Sequence, residues 1–215
     1  MTELIDSTEM YLRTVFELEE EGILALRARI AERLGLSAPS VSEGVARLTN
    51  DGLLTLDERR TVGLTREGRE RAEHVMRKHR LAERLLIDVL GVEPEHVHDE
   101  ACRWEHVISD RVEEKLIEFL GNPDRSPYGN PMPGAGVDDG ELIRLGDADG
   151  SVTVVRISEL LQQDHEAMTA LTAAQVAAGT RVVVSAAPEG VTVTGAGGDA
   201  ELSADQAMLV YVAAS

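Results

Sequence analysis

The spacing of apolar residues changes once along the chain. Up to about residue 120 they recur every three or four positions, as in amphipathic helices, and beyond residue 137 they alternate or form short β-branched runs, as in strands. The helical spacing predicts helices over 1–21, with the first six residues fraying, and over 27–34, 40–50, 69–90, the stretch containing 98–106, 112–120 and 158–178. The second pattern predicts strands over 141–145, 152–157, 181–185, 191–194 and 208–212. The chain is therefore predicted to be mainly α, with a β-rich C-terminal part.

Residues 24–65 have the pattern of a winged helix-turn-helix. Gly35 ends a short helix, Ser37 is placed to cap the next one, and Pro39 falls in its first turn. Two short strands joined at 57–60 follow, as a wing would. The second helix of such a unit enters the DNA major groove. The alternative is a winged helix used only for protein contact.

Charge restricts where DNA could bind. The formal net charge of −18 argues against a generic nucleic-acid binder, because phosphate binding depends on positive potential. Any DNA contact must therefore come from a locally basic face. Such a face is predicted on the helix-turn-helix and at the wing tip, where bases outnumber the acids Glu32 and Glu43: Arg27, Arg29, Arg33, Arg47, Arg59 and Arg60.

Metal-ligand side chains recur at helical spacing in the middle of the chain. Positions four apart share a helix face, so His98, Cys102 and the adjacent Glu105 and His106 are expected to form one stripe. Imidazole, thiolate and carboxylate suit a borderline transition metal. The preceding helix carries His79 and Glu83, again four apart. Met10 joins the candidates if its helix faces Cys102. The alternative is a partly exposed helix whose His and Glu face water.

Composition predicts a cytoplasmic protein without a membrane span. The start of the chain lacks a basic and then apolar signal sequence, and no apolar run reaches the roughly 20 residues a span requires. Cys102 is the only cysteine, which fits a reducing compartment. The domains are predicted at 1–73, 74–136 and 137–215, with the second ending in a proline-rich linker. The acidic third domain is not expected to bind DNA, and the spacing of Glu159 and Gln162 alone favours a solvated face.

Five motifs in order resemble the diphtheria-toxin-repressor and iron-dependent-regulator family. They are 8–14 (TEMYLRT), 26–34 (LRARIAERL), 75–86 (VMRKHRLAERLL), 98–107 (HDEACRWEHV), and Ser126-Pro with Gly129-Asn-Pro. The resemblance implies a repressor, not an enzyme, that binds double-stranded operator DNA as a homodimer, with one or two dimers per operator. It also implies a winged helix-turn-helix, a helical dimerisation and metal domain, and a C-terminal SH3-like β-barrel.

The resemblance also implies residue roles. A primary metal site would use Met10, Cys102, Glu105 and His106, with the Cys102 carbonyl. An ancillary site would use His79, Glu83 and His98, and a shorter match over 157–162 adds Glu159 and Gln162. The positions expected to hold an anion are Arg80, Ser126 and Asn130. The DNA-contact candidates are Arg27, Ser37, Pro39, Ser40, Ser42, Glu43, Arg47 and Arg60.

Two residues depart from the family pattern. Glu43 stands where Gln is usual, and a carboxylate prefers a cytosine amino group to adenine and is repelled by phosphates. Asn50 stands where arginine is common. The base sequence read by this chain is therefore open, whereas the predicted metal regulation does not depend on these positions.

Soft sulfur donors indicate the metal and leave alternatives to test. Cys102 and Met10 favour Fe(II), Co(II) or Ni(II) over the oxygen-preferring Mn(II), and Zn(II) is also compatible. Fe(II) is the ion expected to be available in a reducing cytoplasm. The protein is therefore expected to control genes of iron homeostasis. The alternatives are a manganese-responsive regulator of the same family, a metalloenzyme, and a protein with a closed structural or storage site.

The third domain has two predicted modes of attachment. Glu159 and Gln162 reaching the ancillary metal would clamp it onto the second domain. The competing hypothesis is that it docks on the proline segment 127–133, as SH3 domains take polyproline II peptides. Both modes of attachment can occur if the metal site and the proline segment compete for the third domain.

Overall fold

A computed structural model describes residues 7–214, so the predicted fraying of residues 1–6 lies outside the described part of the chain. The chain divides into two compact units, 1–78 and 79–215. We describe each unit by itself. Within the described residues, no helix is both long and apolar enough to cross a bilayer.

The N-terminal unit consists of helices followed by a short hairpin. Its elements are α1 (Ser7–Glu20), α2 (Arg27–Leu34), α3 (Ala38–Asn50), β1 (Leu54–Leu56), β2 (Val62–Leu64) and the start of α4 (Arg66–Arg84). β1 and β2 pair antiparallel, with Leu54 opposite Leu64. The predicted order of two helices and a hairpin is therefore present.

Local chemistry sets the junction between α2 and α3 as the sequence predicts. Gly35 ends α2 with φ of 62°, in the left-handed region that glycine adopts without strain. The Ser37 hydroxyl accepts a hydrogen bond from the Ser40 amide at 3.3 Å, which caps α3. Pro39 lies in the first turn, where no backbone hydrogen bond is lost.

Helix α1 fixes the position of α3. The Tyr11 hydroxyl donates a hydrogen bond to the Ser40 carbonyl at 3.2 Å. A Cβ atom at Gly44 would lie 2.5 Å from the Tyr11 Cζ, so the absence of a side chain there lets the ring pack against α3. Val15 of α1 and Val41 of α3 belong to the same buried core. The two helices therefore form one packed body.

The helical part of the C-terminal unit contains the end of α4, α5 (Pro94–Trp104) and α6 (Asp110–Phe119). The predicted helix to residue 90 is correct in extent, but its last turn, Leu85–Val89, is π-helical. Such turns insert one extra residue into a helix and are common beside functional sites. No glycine or proline marks this turn in the sequence.

The rest of the unit is a six-stranded antiparallel sheet with short helices. The elements are β3 (Ile143–Arg144), β4 (Gly150–Ile157), α7 (Glu159–Gln162), α8 (His165–Ala173), β5 (Arg181–Ala187), β6 (Gly190–Gly195), β7 (Gly198–Ser203), α9 (Ala204–Ala207) and β8 (Val210–Ala214). The strand order is β3-β8-β4-β5-β6-β7. Its core includes Val154, Val184, Val193 and Val212.

Two sequence predictions for the sheet region are wrong in detail. Strand β7 was not predicted, because Gly198, Asp199 and Glu201 have low strand propensity; it forms by pairing along β6 and buries Ala200 and Leu202. The single helix predicted over 158–178 is two helices. Asp164 separates them by accepting a hydrogen bond from the Ala167 amide at 3.0 Å, which caps α8.

The linker at Tyr128–Asn130 packs on the edge of β4. The Ile157 amide donates to the Tyr128 carbonyl at 2.9 Å, and the Asn130 side-chain amide donates to the Ile157 carbonyl at 2.8 Å. Gly129 has φ of 85°, and a Cβ there would lie 2.0 Å from the Val155 carbonyl oxygen. This close approach requires glycine.

We predict that Gly129→Ala destabilises the C-terminal unit far more than Gly136→Ala. Both glycines have positive φ, but nothing lies within 4 Å of a Cβ at Gly136. Gly136→Ala should cost the roughly 1–2 kcal/mol of a left-handed alanine, and Gly129→Ala should add about 1–3 kcal/mol of overlap. Urea unfolding of the full chain measures the difference. Equal effects of the two changes would contradict the close packing of the linker.

Candidate metal centre

A buried cluster of metal-ligand side chains lies within the C-terminal unit. One ligand atom from each of His79, Glu83, His98 and Glu159 lies within 4.8 Å of the others, and all four residues are buried. His79 and Glu83 come from adjacent turns of α4, His98 from α5 and Glu159 from the first turn of α7. The helical spacing predicted the first pair, and the fold adds the other two.

His79 is at the centre of the contacts. Its Nε2 lies 3.0 Å from Glu83 Oε1 and 3.6 Å from Glu159 Oε2. Its Nδ1 lies 2.7 Å from Glu105 Oε2. The His98 ring stands edge-on to it, with the ring centroids 5.0 Å apart. Two imidazoles and three carboxylates therefore meet away from solvent.

Gln162 presents its carbonyl oxygen to this cluster. Its Nε2 donates to the Ile157 carbonyl at 3.0 Å, which orients the amide. Its Oε1 then lies 3.3 Å from His98 Nδ1. Spacing alone favoured a solvated face for Glu159 and Gln162, and that reading is wrong, because both side chains are buried.

Burial and charge act in opposite directions on the two carboxylates. The pKa of Glu83 is raised, first by burial and then by the negative charge of Glu159. Burial also disfavours the charged form of Glu159, but the Arg80 guanidinium, His79 and His98 together outweigh burial and lower the pKa of that carboxyl. Arg80 Nε donates to Glu159 Oε1 at 2.9 Å. Glu159 is thus a carboxylate oriented by Arg80.

The cluster passes a test of fit for a divalent metal. Glu83 Oε2 and Glu159 Oε2 are buried, and neither has a hydrogen-bond partner within the described residues 7–214. Burying such acceptors unpaired costs about 1–3 kcal/mol each. Imidazole, carboxylate and amide oxygen are ligands of borderline divalent cations. Residues His79, Glu83, His98, Glu159 and Gln162 are therefore suited to hold one.

The second predicted set of ligands adjoins the first. Cys102 Sγ lies 3.3 Å from His98 Nε2, and one ligand atom each of His79, Cys102 and Glu105 lies within 4.8 Å of the others. His106 Nε2 lies 3.3 Å from Glu105 Oε1. The two sets therefore share contacts instead of forming separate clusters.

The predicted single stripe through 98–106 is wrong beyond Cys102. Helix α5 ends at Trp104, and the Val107 and Ile108 amides both bond to the Trp104 carbonyl, which turns the chain there. Glu105 therefore projects from the end of the helix toward His79. Met10 lies on α1 in the N-terminal unit and is half-buried.

The three residues expected to hold an anion are buried and have protein partners. Besides binding Glu159, Arg80 donates to the Pro131 carbonyl. Ser126 Oγ accepts from the Tyr128 amide at 3.2 Å, and Asn130 bonds to β4 as described. The pairing of Arg80 with a carboxylate of this chain was not foreseen, because the two residues lie 79 positions apart.

The predicted DNA-contact residues of the N-terminal unit are accessible. Helix α3 buries Val41, Val45 and Leu48. Two of the candidates, Arg27 and Ser42, are half-buried. The others are exposed: Ser37, Pro39, Ser40, Glu43, Arg47 and Arg60. Asn50 is also exposed. Arg47 contacts α1, with Nη2 3.4 Å from Ser7 Oγ.

Family models match almost the whole chain. Residues 3–62 match the iron dependent repressor N-terminal DNA binding domain. Residues 65–134 match the iron dependent repressor metal binding and dimerisation domain, and residues 141–214 match the diphtheria toxin repressor SH3 domain. This chain belongs to the iron-dependent repressor family.

Individual members of the family are similar over most of their length. The diphtheria toxin repressor of Corynebacterium glutamicum is 48% identical over 225 residues, covering 99% of this chain and 98% of that protein. The iron-dependent repressor IdeR of Mycobacterium tuberculosis is 50% identical over 203 residues, covering 88% of each chain. A solved manganese-dependent transcriptional repressor in complex with manganese is 32% identical, with a TM-score of 0.81 over 97% of this chain and 100% of that one.

We predict that Glu83→Gln weakens metal binding without destabilising the metal-free protein. The change removes one carboxylate ligand, and it also removes a buried negative charge next to Glu159. We expect Co(II) affinity at this cluster to fall at least about tenfold, so that metal-induced stabilisation falls by about 1.4 kcal/mol. Thermal unfolding with and without Co(II) measures both effects.

The matched control is Glu100→Gln, which makes the same change where the carboxylate binds Arg103 at the surface. It should leave the Co(II) response unchanged. An undiminished Co(II) response in Glu83→Gln would exclude Glu83 as a ligand.

Proposed function

We propose that this protein is an Fe(II)-dependent transcriptional repressor that binds operator DNA as a dimer and controls genes of iron homeostasis. The observation that carries the proposal is the buried cluster around His79 in a chain of the iron-dependent repressor family, where two carboxylate oxygens have no hydrogen-bond partner among residues 7–214. The name of the 50% identical relative specifies iron, whereas the structural neighbour named for manganese is 32% identical. This difference favours iron over manganese.

The order of the three family models, over 3–62, 65–134 and 141–214, supports an assignment of three domains. We assign residues 1–73 to a winged helix-turn-helix, 74–136 to a helical dimerisation and metal domain, and 137–215 to an SH3-like domain. The order of α2, α3 and the β1–β2 hairpin supports the first assignment. Acting on chromosomal operators, the protein would work in the cytoplasm, as a regulator and not as an enzyme.

We assign two metal sites. The ancillary site consists of His79, Glu83, His98, Glu159 and Gln162, supported by the contacts described above. The primary site consists of Met10, Cys102, Glu105 and His106, whose thioether, thiolate, carboxylate and imidazole suit Fe(II). The anion role of Arg80, Ser126 and Asn130 remains a proposal, and the Glu159 carboxylate is the anion that Arg80 holds here.

Contacts inside the N-terminal unit would transmit a constraint on Met10 to the DNA-reading helix. Met10 directly precedes Tyr11, whose hydroxyl bonds the Ser40 carbonyl and whose ring packs on Gly44. Arg47 of α3 contacts Ser7 at the start of α1. Because α1 and α3 are packed together, fixing α1 fixes the orientation of α3. Metal then favours repression only by its differential affinity for that orientation.

Exposed apolar side chains in the C-terminal unit support a dimer. Within the described residues, several large apolar side chains of the π-helical turn, the turn after α5 and helix α6 are about half exposed or more: Val89, Leu90, Val107, Val112 and Phe119. Exposed apolar patches commonly mark protein interfaces. We assign this surface to the contact between two copies, which sets the spacing of the two α3 helices on operator half-sites.

We also propose that Glu159 and Gln162 clamp the SH3-like domain to the helical domain. Both predicted attachments occur in the same structure. Tyr128 and Asn130 of the linker bond to Ile157, and Glu159 and Gln162 lie beside His79 and His98. Competition between the two modes of attachment is therefore not required.

DNA binding should depend reversibly on metal. We predict that a gel-shift series on operator-containing DNA shows no complex with chelator, and a complex at lower free Fe(II), Co(II) or Ni(II) than Mn(II), because Cys102 and Met10 are soft donors. Cys102→Asp should reverse this order by offering a hard oxygen ligand. Binding that persists in chelator would indicate a structural site instead, and activation by Mn(II) below Fe(II) would contradict the metal assignment.

A second prediction concerns base reading by Glu43, which is exposed on α3. Glu43→Gln removes a negative charge near phosphates and supplies an amide that can read adenine. We expect tighter binding overall and an altered preference at one position per half-site, each by roughly 1–3 kcal/mol. Binding-site selection on random DNA measures both, with Glu58→Gln in the hairpin turn as the charge-matched control. Identical site preferences for wild type and Glu43→Gln would show that this side chain points away from the bases.

A further inference from the structure

A second group of metal-ligand side chains lies on the surface of the C-terminal unit, outside both sites assigned above. His165 Nε2 lies 2.9 Å from Asp99 Oδ2. The His96 ring stands edge-on to the His165 ring, with centroids 5.4 Å apart. We propose that His96, Asp99 and His165 form a third divalent-metal site, which takes zinc.

The three side chains are held by a rigid frame. His96 and Asp99 are three residues apart on α5, so they share one face of the helix. His165 is the first residue of α8, whose start is fixed by the Asp164 cap. Val97 of α5 and Met168 of α8 belong to the same buried core. The two helices therefore pair Asp99 with His165 and place His96 beside them, so only the His96 side chain has to move to complete the site.

The spacing of Asp99 and His165 is close to that of two ligands in a zinc site, and His96 stands beside them. Zinc binds imidazole nitrogen at about 2.0–2.1 Å and carboxylate oxygen at about 2.0–2.2 Å, so tetrahedral neighbours lie roughly 3.3–3.4 Å apart. The 2.9 Å between Asp99 Oδ2 and His165 Nε2 needs to widen by only about 0.4 Å. His96 is exposed, and rotation of its side chain supplies the second imidazole nitrogen on a fast timescale.

Ligand chemistry and exposure define which ion it takes. This site has two imidazoles and one carboxylate, and it lacks the sulfur ligand that Cys102 offers. The affinity of such ligands for divalent metals is lower for Mn(II) and Fe(II) than for Zn(II). The side chains of His165 and Asp99 are 47% and 49% exposed. Solvent can therefore complete the coordination shell, and zinc can enter without opening the fold. Loading would fasten α8 of the SH3-like region to α5, the helix that carries His98 and Cys102.

Zinc stoichiometry of the full-length protein tests the proposal. Wild type, His96→Ala, His165→Ala and the control Glu166→Ala are freed of metal and dialysed against Zn(II), and bound zinc is counted per chain by elemental analysis. Glu166 is an exposed carboxylate next to His165. We expect each histidine variant to bind one zinc fewer than wild type and Glu166→Ala to match wild type. Mn(II) should show no such difference.

A spectroscopic measurement covers the case in which a substitution disturbs the helix ends. In wild-type protein, Zn(II) should shift the imidazole nitrogen resonances of both His96 and His165, and His96→Gln should abolish the shift at His165. Equal zinc content in wild type and both histidine variants, or unshifted imidazole resonances, would overturn the proposal. His96→Gln should retain metal-dependent DNA binding, so failure of this site is distinguishable from failure of the proposed function.

Discussion

The Arg80–Glu159 ion pair is the contact on which the C-terminal unit depends. Both side chains are almost fully buried, and the pair joins α4 to the first turn of α7. Removing one partner of a buried pair typically costs about 3–5 kcal/mol, because the other charge is left without compensation. Arg80 also bonds the Pro131 carbonyl, so one guanidinium holds a helix, the linker and the sheet region in register. The buried ligands are positioned by this arrangement.

The cluster beside that pair is polar, although apolar side chains at the same place would cost less free energy to bury. His79 contacts Glu83 and Glu105, Glu83 has a raised pKa because of burial and the Glu159 charge, and two carboxylate oxygens have no hydrogen-bond partner in the described part of the chain. Such an arrangement is costly in a protein without metal and favourable once a cation balances the charge. Metal binding at this cluster, as proposed, would therefore link stability to metal loading through the same residues.

Sequence reasoning succeeded where the controlling interaction is local. The α2–α3 junction follows from Gly35, Ser37 and Pro39, and the four-residue spacing of His79 and Glu83 on α4 needs only helix geometry. It failed where an element forms by pairing with a neighbouring strand although its own residues have low strand propensity, or ends without a local signal. Strand β7 exists because β6 offers a ladder, and α5 stops at Trp104 with no glycine or proline to mark the end.

The sequence by itself determined the helical and β-rich parts, the α2–α3 helix pair, and the side chains that could bind a metal, since these follow from periodicity, caps and donor chemistry. Only the tertiary structure decided which of those side chains meet. Glu159 and Gln162 looked like a solvated pair because spacing along one short helix says nothing about the helices opposite. Folding places Glu159 at His79, Gln162 at His98 and His165 at Asp99, across 80, 64 and 66 positions of the chain respectively. Contacts at such separations depend on packing between elements, which no local pattern encodes.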